Sequence, residues 1–249
     1  MMNIKTSLVR IVMLAWITLA GLPGMAGAQE LTSITVISEE WEGATHPDGA
    51  GLYWDIIRRI YEPVGIKVKY SISSYARSVA LVKQKRADAW VGSYLDEEEG
   101  VIYPKSHFDA DDVSALFIKK TDQPWQGEAS LEGKNVAWIK GYELHEYLDA
   151  KFNNRELLNR DSVIEYLKDG RLDYFIDALP EIQSHFGEII ENDSRFTVEM
   201  IKKLNLYLGF ANTGKGRELA DIFDQRFPEL IKSGELKTLF DKWEFSYIF

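Results

Sequence analysis

Residues 66–92 read IKVKYSISSYARSVALVKQKRADAWVG. Over 66–72 apolar and polar side chains alternate, the period of a half-buried strand. Over 75–85 Val79, Leu81 and Val82 fall at helical spacing, and 87–92 is a short apolar run that predicts a buried strand. Strand and helix alternate, which argues a mainly parallel sheet, since parallel strands need a crossover where antiparallel ones need only a turn.

The same plan extends outward. Residues 33–38 form a β-branched strand signal, followed by a polar loop over 39–51; loops after strands are where α/β proteins bind ligands. Leu52, Ile56, Ile57, Ile60 and Tyr61 then recur at helical period, with Pro63 and Gly65 as the stop. Downstream, 109–112 reads as an acidic turn, 113–118 as a strand and 123–127 as a surface loop. A second unit follows, with strand 135–139, a turn at Gly141, helices over 143–152 and 162–168, and strand 172–176. Strand 204–211 and helices over 218–227 and 228–243 complete the chain. The fold class expected is α/β with a mainly parallel sheet.

Lys5 and Arg10, an apolar run over 11–22 and Ala26-Gly27-Ala28 have the layout of a signal peptide cleaved after Ala28. The run is too short for a membrane anchor, which needs roughly 20 apolar residues. Beyond it, 27 basic residues stand against 39 acidic ones, a formal charge of −12 that disfavours nucleic acid as a partner. There is no cysteine, which excludes disulfides, thiolate metal sites and a lipid-anchoring cysteine. The expected location is the periplasm, as a freely diffusing monomer. His46, His107, His145 and His185 are scattered without metal-ligand spacing, and no phosphate loop, nucleophile elbow or dinucleotide fingerprint is present. No cofactor is expected.

Four short segments, taken in order and spacing, resemble the bacterial extracellular solute-binding proteins of family 3, the amino-acid-type periplasmic binding proteins of ABC transporters. They are Gly51-Leu52-Tyr53-Trp54-Asp55, Ala87-Asp88-Ala89-Trp90-Val91, the run from Leu131-Glu132-Gly133-Lys134 to Lys140-Gly141, and Gly170-Arg171-Leu172-Asp173. Lys232-Ser233-Gly234-Glu235-Leu236 and Lys242-Trp243 match the family's usual last helix. The resemblance implies the type II periplasmic binding protein fold, two α/β lobes on a two-strand hinge with the ligand cleft between them. Lobe I would comprise 29–111 and 207–249, and lobe II 112–206, closing around the ligand. It implies capture of a small polar solute, an amino acid or related carboxylate, and delivery to an inner-membrane ABC permease; a sensor domain is the alternative partner.

The resemblance places Trp41 and Tyr75 over the ligand, has Ser93 and Tyr94 offering hydrogen bonds, and makes Asp177 the match for an amine-binding acid. Asp177 lies one residue nearer Asp173 than expected, which on a strand reverses the side chain. From the residues themselves, Arg77 sits at a helix amino end, where a cation gains nothing from the dipole, and is a candidate carboxylate fork. Tyr142 and Glu143 open the predicted helix over 143–152, whose free N–H groups suit an anion. The chain departs from the family where an arginine normally grips an α-carboxylate, reading Asp96-Glu97-Glu98-Glu99-Gly100 instead. The competing class is a lyase or hydrolase using Glu39 and Glu40 with Glu143 or Asp177 as acid and base.

Overall fold

The structure, a computed structural model, describes residues 31–249 except Asp122; the signal peptide expected over 1–28 lies outside the described residues. The elements are β1 (Ser33–Ser38), α1 (Leu52–Tyr61), β2 (Lys67–Ile72), α2 (Tyr75–Lys83), β3 (Ala89–Ser93), β4 (Val101–Ile102) and β5 (Asp109–Ile118). After these come β6 (Asn135–Ile139), β7 (Asn153–Leu157), α3 (Val163–Lys168), β8 (Tyr174–Ala178), α4 (Leu179–Asn192), β9 (Phe196–Ala211), α5 (Gly214–Ser233) and α6 (Glu235–Lys242). The strands run in the order β2-β1-β3-β9-β5-β8-β6-β7, with β4 beside β9.

β1 pairs in parallel with β2 and β3, and β6 in parallel with β7 and β8. Each set is a βαβ-type half, as the alternation of periods predicts. The halves are joined by the antiparallel strands β5 and β9. Tyr207 to Phe210 pair with β3, and Val113 to Phe117 pair with β8. Between those stretches, 109–112 and 203–206 pair only with each other. That segment is the two-strand hinge, and a bulge between Val113 and Ser114 adds local bend beside it.

Burial follows the sequence pattern. α1 turns Leu52, Tyr53, Trp54, Ile56, Ile57, Ile60 and Tyr61 inward, and the Tyr61 hydroxyl donates to the Leu219 carbonyl of α5 at 2.9 Å. In the other half, Val163, Leu167, Ile182 and Phe186 from α3 and α4 cover Leu116, Ala137 and Phe175 of the sheet. Several expectations change. Residues 109–112 are strand, since Tyr53 and Tyr94 donate to the carboxylates of Asp109 and Asp111 and satisfy acids that otherwise signal a turn. The helix expected over 143–152 is a single 3₁₀ turn, Leu144–Tyr147, because Glu143 takes a left-handed φ of 44°. β7 and α4 are additional elements, and β9 begins eight residues before the expected strand at 204. The two C-terminal helices divide at Gly234 rather than at Pro228, since Gly234 supplies the left-handed cap while α5 runs through the proline.

One close contact ties this scaffold to the cleft. Trp90 is fully buried opposite Gly209 across β3 and β9, and a Cβ on Gly209 would lie 2.1 Å from its ring. Gly209→Ala is expected to cost about 1–3 kcal/mol through overpacking, read as a lower urea midpoint at unchanged slope. An unchanged midpoint would mean that the tryptophan moves freely.

Candidate ligand-binding cleft

The cleft opens beside the hinge as a cavity of about 60 Å³ and draws its walls from both halves. From the first half come Trp41, Glu42, Tyr53, Tyr75, Gly92 and Tyr94. The second half adds Tyr142, Asp177 and Glu181, with Asp111 on the connecting strand β5.

Trp41 stands in the loop after β1, where the Thr45 hydroxyl accepts from its backbone N–H at 3.1 Å. Its ring lies against Gly92, whose φ of 87° and missing side chain make room; a Cβ there would be 2.6 Å from the indole. Tyr75 opens α2 and donates to Glu97 at 2.6 Å, while the Trp90 indole donates to the Tyr75 oxygen at 3.3 Å. Tyr94, just past β3, donates to Asp111 at 2.9 Å, and Tyr53 from α1 donates to Asp109 at 2.8 Å. Asp109 and Asp111 are two apart on one strand and so share a face.

Tyr142, in the turn after β6, crosses the cleft. Its hydroxyl accepts from the Trp41 indole at 3.4 Å and from Arg160 Nη2 at 3.3 Å, and it donates to Glu39 at 3.4 Å. Its ring meets Tyr75 edge-on at 5.2 Å. Further contacts close the mouth: Ser184 donates to Glu42 at 2.6 Å, and Tyr147 donates to the Leu95 carbonyl at 3.4 Å.

Asp177, fully buried at the end of β8, is held by Arg160 Nε at 2.8 Å, and Arg160 Nη2 lies 3.2 Å from Glu181. Burial opposes the guanidinium charge, but Asp177, Tyr142 and Glu181 outweigh it and hold Arg160 above its ordinary range. The acids are displaced upward. Burial, with Asp109, Asp177 and Asp112 adding to it, raises Asp111 to about 7 against the opposing hydrogen bond from Tyr94. Burial also raises Glu181 to about 7, Arg160 countering while Asp177, Glu39 and Asp111 reinforce it. Asp109 rises to about 6 from the same dominant cause.

Of the sequence candidates, Trp41, Tyr75, Tyr94, Tyr142 and Asp177 converge on the cleft. Ser93 is buried behind it, donating to Glu97 at 2.8 Å. Arg77 is exposed on α2: two residues past Tyr75 is about 200° around the helix, so Tyr75 facing the cleft turns Arg77 to solvent. Glu143 borders a separate surface depression with Lys140 and Glu156, and its 3₁₀ turn provides no α-helix amides for an anion. Glu39 and Glu40 do not act as a pair, since Glu39 reaches Tyr142 while Glu40 is exposed. The residues not anticipated are Arg160, Asp111 and Glu181. Arg160 lies in a polar stretch, Leu158-Asn159-Arg160-Asp161, with no periodicity to single it out.

Two α/β halves on a two-strand hinge, with an aromatic and acidic cleft between them, define the type II periplasmic binding protein fold. Solved structures agree. A substrate-binding protein of an amino-acid ABC transporter from Streptococcus pneumoniae, bound to L-arginine, is 17% identical with a TM-score of 0.63, over 85% of this chain and 94% of its own. The GluR0 ligand-binding core in complex with L-glutamate is 13% identical with a TM-score of 0.66, over 85% and 97%. An ancestral amino-acid-binding protein described as a precursor of cyclohexadienyl dehydratase is 15% identical with a TM-score of 0.63, over 85% and 95%. No protein-family model matches the chain, and no curated protein matches its sequence. No helix among the described residues is long and apolar enough to cross a membrane.

Proposed function

We propose that the chain is a periplasmic solute-binding protein that captures a small polar solute, an amino acid or a relative of one, by hinge closure and hands the closed form to an inner-membrane ABC permease. Lobe I comprises 29–111 and 207–249, and lobe II 112–206. The leader over 1–28 exports the chain to the periplasm, where it works as a monomer. The observation that carries this reading is Tyr142: one residue of lobe II touches Trp41, Tyr75 and Glu39 of lobe I, so closing the hinge is what assembles the site. Trp41, Tyr75, Tyr94 and Tyr142 would wall the ligand, and Asp177 with Arg160 would orient it. The arginine-, glutamate- and amino-acid-binding neighbours support the solute class.

A catalytic alternative draws support from Asp111 and Glu181, whose carboxyls titrate near 7, the range suited to general acid and base work. One experiment separates the two. Ligand-stripped protein is screened by thermal shift against amino acids, polyamines, organic acids and oligosaccharides. A ligand at 100 times its Kd is expected to stabilise by roughly 2.7 kcal/mol. A hit recovered unchanged after hours establishes a carrier, a hit consumed over that time establishes an enzyme, and no shift with any class overturns the binding role.

A further inference from the structure

If the cleft is the ligand site, its charge selects the ligand. Asp111, Asp177, Glu181 and Glu42 line it, and Glu39 stands behind Tyr142; among the described residues no lysine, arginine or histidine lines it. Arg160 reaches this group but is already engaged, Nε on Asp177 at 2.8 Å and Nη2 between the Tyr142 hydroxyl at 3.3 Å and Glu181 at 3.2 Å, while the His185 ring of α4 lies 3.8 Å from Glu181 and is positive only when protonated. A carboxylate entering the cleft would meet acids and find no uncommitted positive charge, so its own desolvation would go uncompensated. An ammonium group would meet the reverse.

The apolar walls agree with the charge. Trp41, Tyr53, Tyr75, Tyr94, Tyr142 and Phe245 surround the same space, and aromatic faces attract organic cations while giving an anion nothing. Glu97 sharpens the point. Where the chain turns after Tyr94 it sends an acid inward, 7% exposed, raised to about 7 by burial and bonded by Tyr75, Ser93 and the Tyr94 amide, so that wall is backed by a further carboxyl and not by a cation. Burial is what raises the titration of Asp111 and Glu181, and Arg160 beside Glu181 offsets it only in part.

We propose that the cleft takes an organic amine that carries no carboxylate, its ammonium group held by Asp111, Asp177 and Glu181 within the aromatic walls. This rests on the solute-binding reading, keeps its small polar solute, and replaces the amino acid with an amine relative that lacks the carboxylate.

Putrescine, 4-aminobutanoate and succinate share one carbon-chain length and differ in their end groups, so calorimetric titration of the full ligand-stripped chain with each isolates charge. Putrescine is expected to bind at least tenfold tighter than 4-aminobutanoate, with succinate silent. Glu181→Gln is expected to weaken putrescine at least tenfold while leaving the unliganded circular dichroism spectrum intact. Asp111→Asn provides a second variant should the first fail to fold. Tighter binding of 4-aminobutanoate or succinate, or of any α-amino acid added to the series, overturns the amine assignment and leaves the carrier reading standing. No heat with any of these compounds overturns the amine assignment alone, since the carrier reading falls only when the whole thermal-shift screen is silent.

Discussion

Arg160→Ala is expected to destabilise the folded chain by about 3–5 kcal/mol, the usual cost of removing one partner from a buried ion pair. Its side chain is 10% exposed and Asp177's is fully buried, and the same guanidinium serves Glu181 and the Tyr142 hydroxyl. Without it two buried carboxylates face each other with only the exposed His185 ring near Glu181. The loss therefore comes mainly from the stranded acids rather than from the missing contact, and the double variant tests that attribution. Arg160→Ala with Asp177→Asn is expected to recover at least half of the loss in urea melts, because the second change removes the uncompensated charge. A single variant within about 1 kcal/mol of the parent would mean that water or a rearranged Glu181 already solvates Asp177.

The scaffold was legible where period and composition agreed. The alternation from Ile66 to Ile72, the apolar face of α1 and the run at Ala89-Trp90-Val91 all read as they fold, since burial of one face imposes the pattern. The hinge was not. Residues 109–112 carry three aspartates, a composition that signals a turn, and only the hydroxyls of Tyr53 and Tyr94, far away in sequence, make them acceptable in a strand. α4 carries a helical signal in Ile182, Phe186 and Ile189 after Pro180 at its first turn. The 3₁₀ turn at Leu144–Tyr147 depends on one left-handed residue, Glu143, that no periodicity marks.

The cleft was half legible for a related reason. Trp41, Tyr75, Tyr94 and Asp177 are nominated by the family resemblance, and Tyr142 by an expected helix start that folds instead as a 3₁₀ turn. Arg77 was nominated on its place at a helix start, but which way a side chain faces depends on the helix phase that Tyr75 sets by packing inward. Arg160 could be found only through its partners. Its meaning arises when β8 delivers Asp177 and the first turn of α4 delivers Glu181 to the same spot, a convergence that chain order does not encode.

The unliganded protein is expected to lose stability as pH rises from 5 to 8. Burial, followed by mutual repulsion, lifts Asp111 and Glu181 to about 7 and Asp109 to about 6, while in the unfolded chain such carboxyls ionise near pH 4. A group whose folded pKa is raised contributes stability that is present below the unfolded value and lost as pH climbs through the folded one. The window therefore runs from about 4 to 7. The cationic groups facing this cluster are Arg160 from the loop before α3, His185 from α4 when protonated and Lys203 from β9, and the net shift stays upward. The carboxyls lowered elsewhere, Asp55 beside Lys242 and Asp193 beside Arg195, have the opposite sign but act below the window, with Asp193 at about 2. One group ionising near 7 instead of 4 withdraws about 2.5 kcal/mol between pH 5 and pH 8, which for a chain of this size lowers Tm by about 5–10 °C. The acids repel one another and ionise in succession, so the fall is spread over the window. Melting followed by circular dichroism in constant ionic strength measures it. A Tm that is flat or rises from pH 5 to 8 would mean that the cleft acids ionise without cost, and the electrostatic case for a cationic ligand would lose its basis.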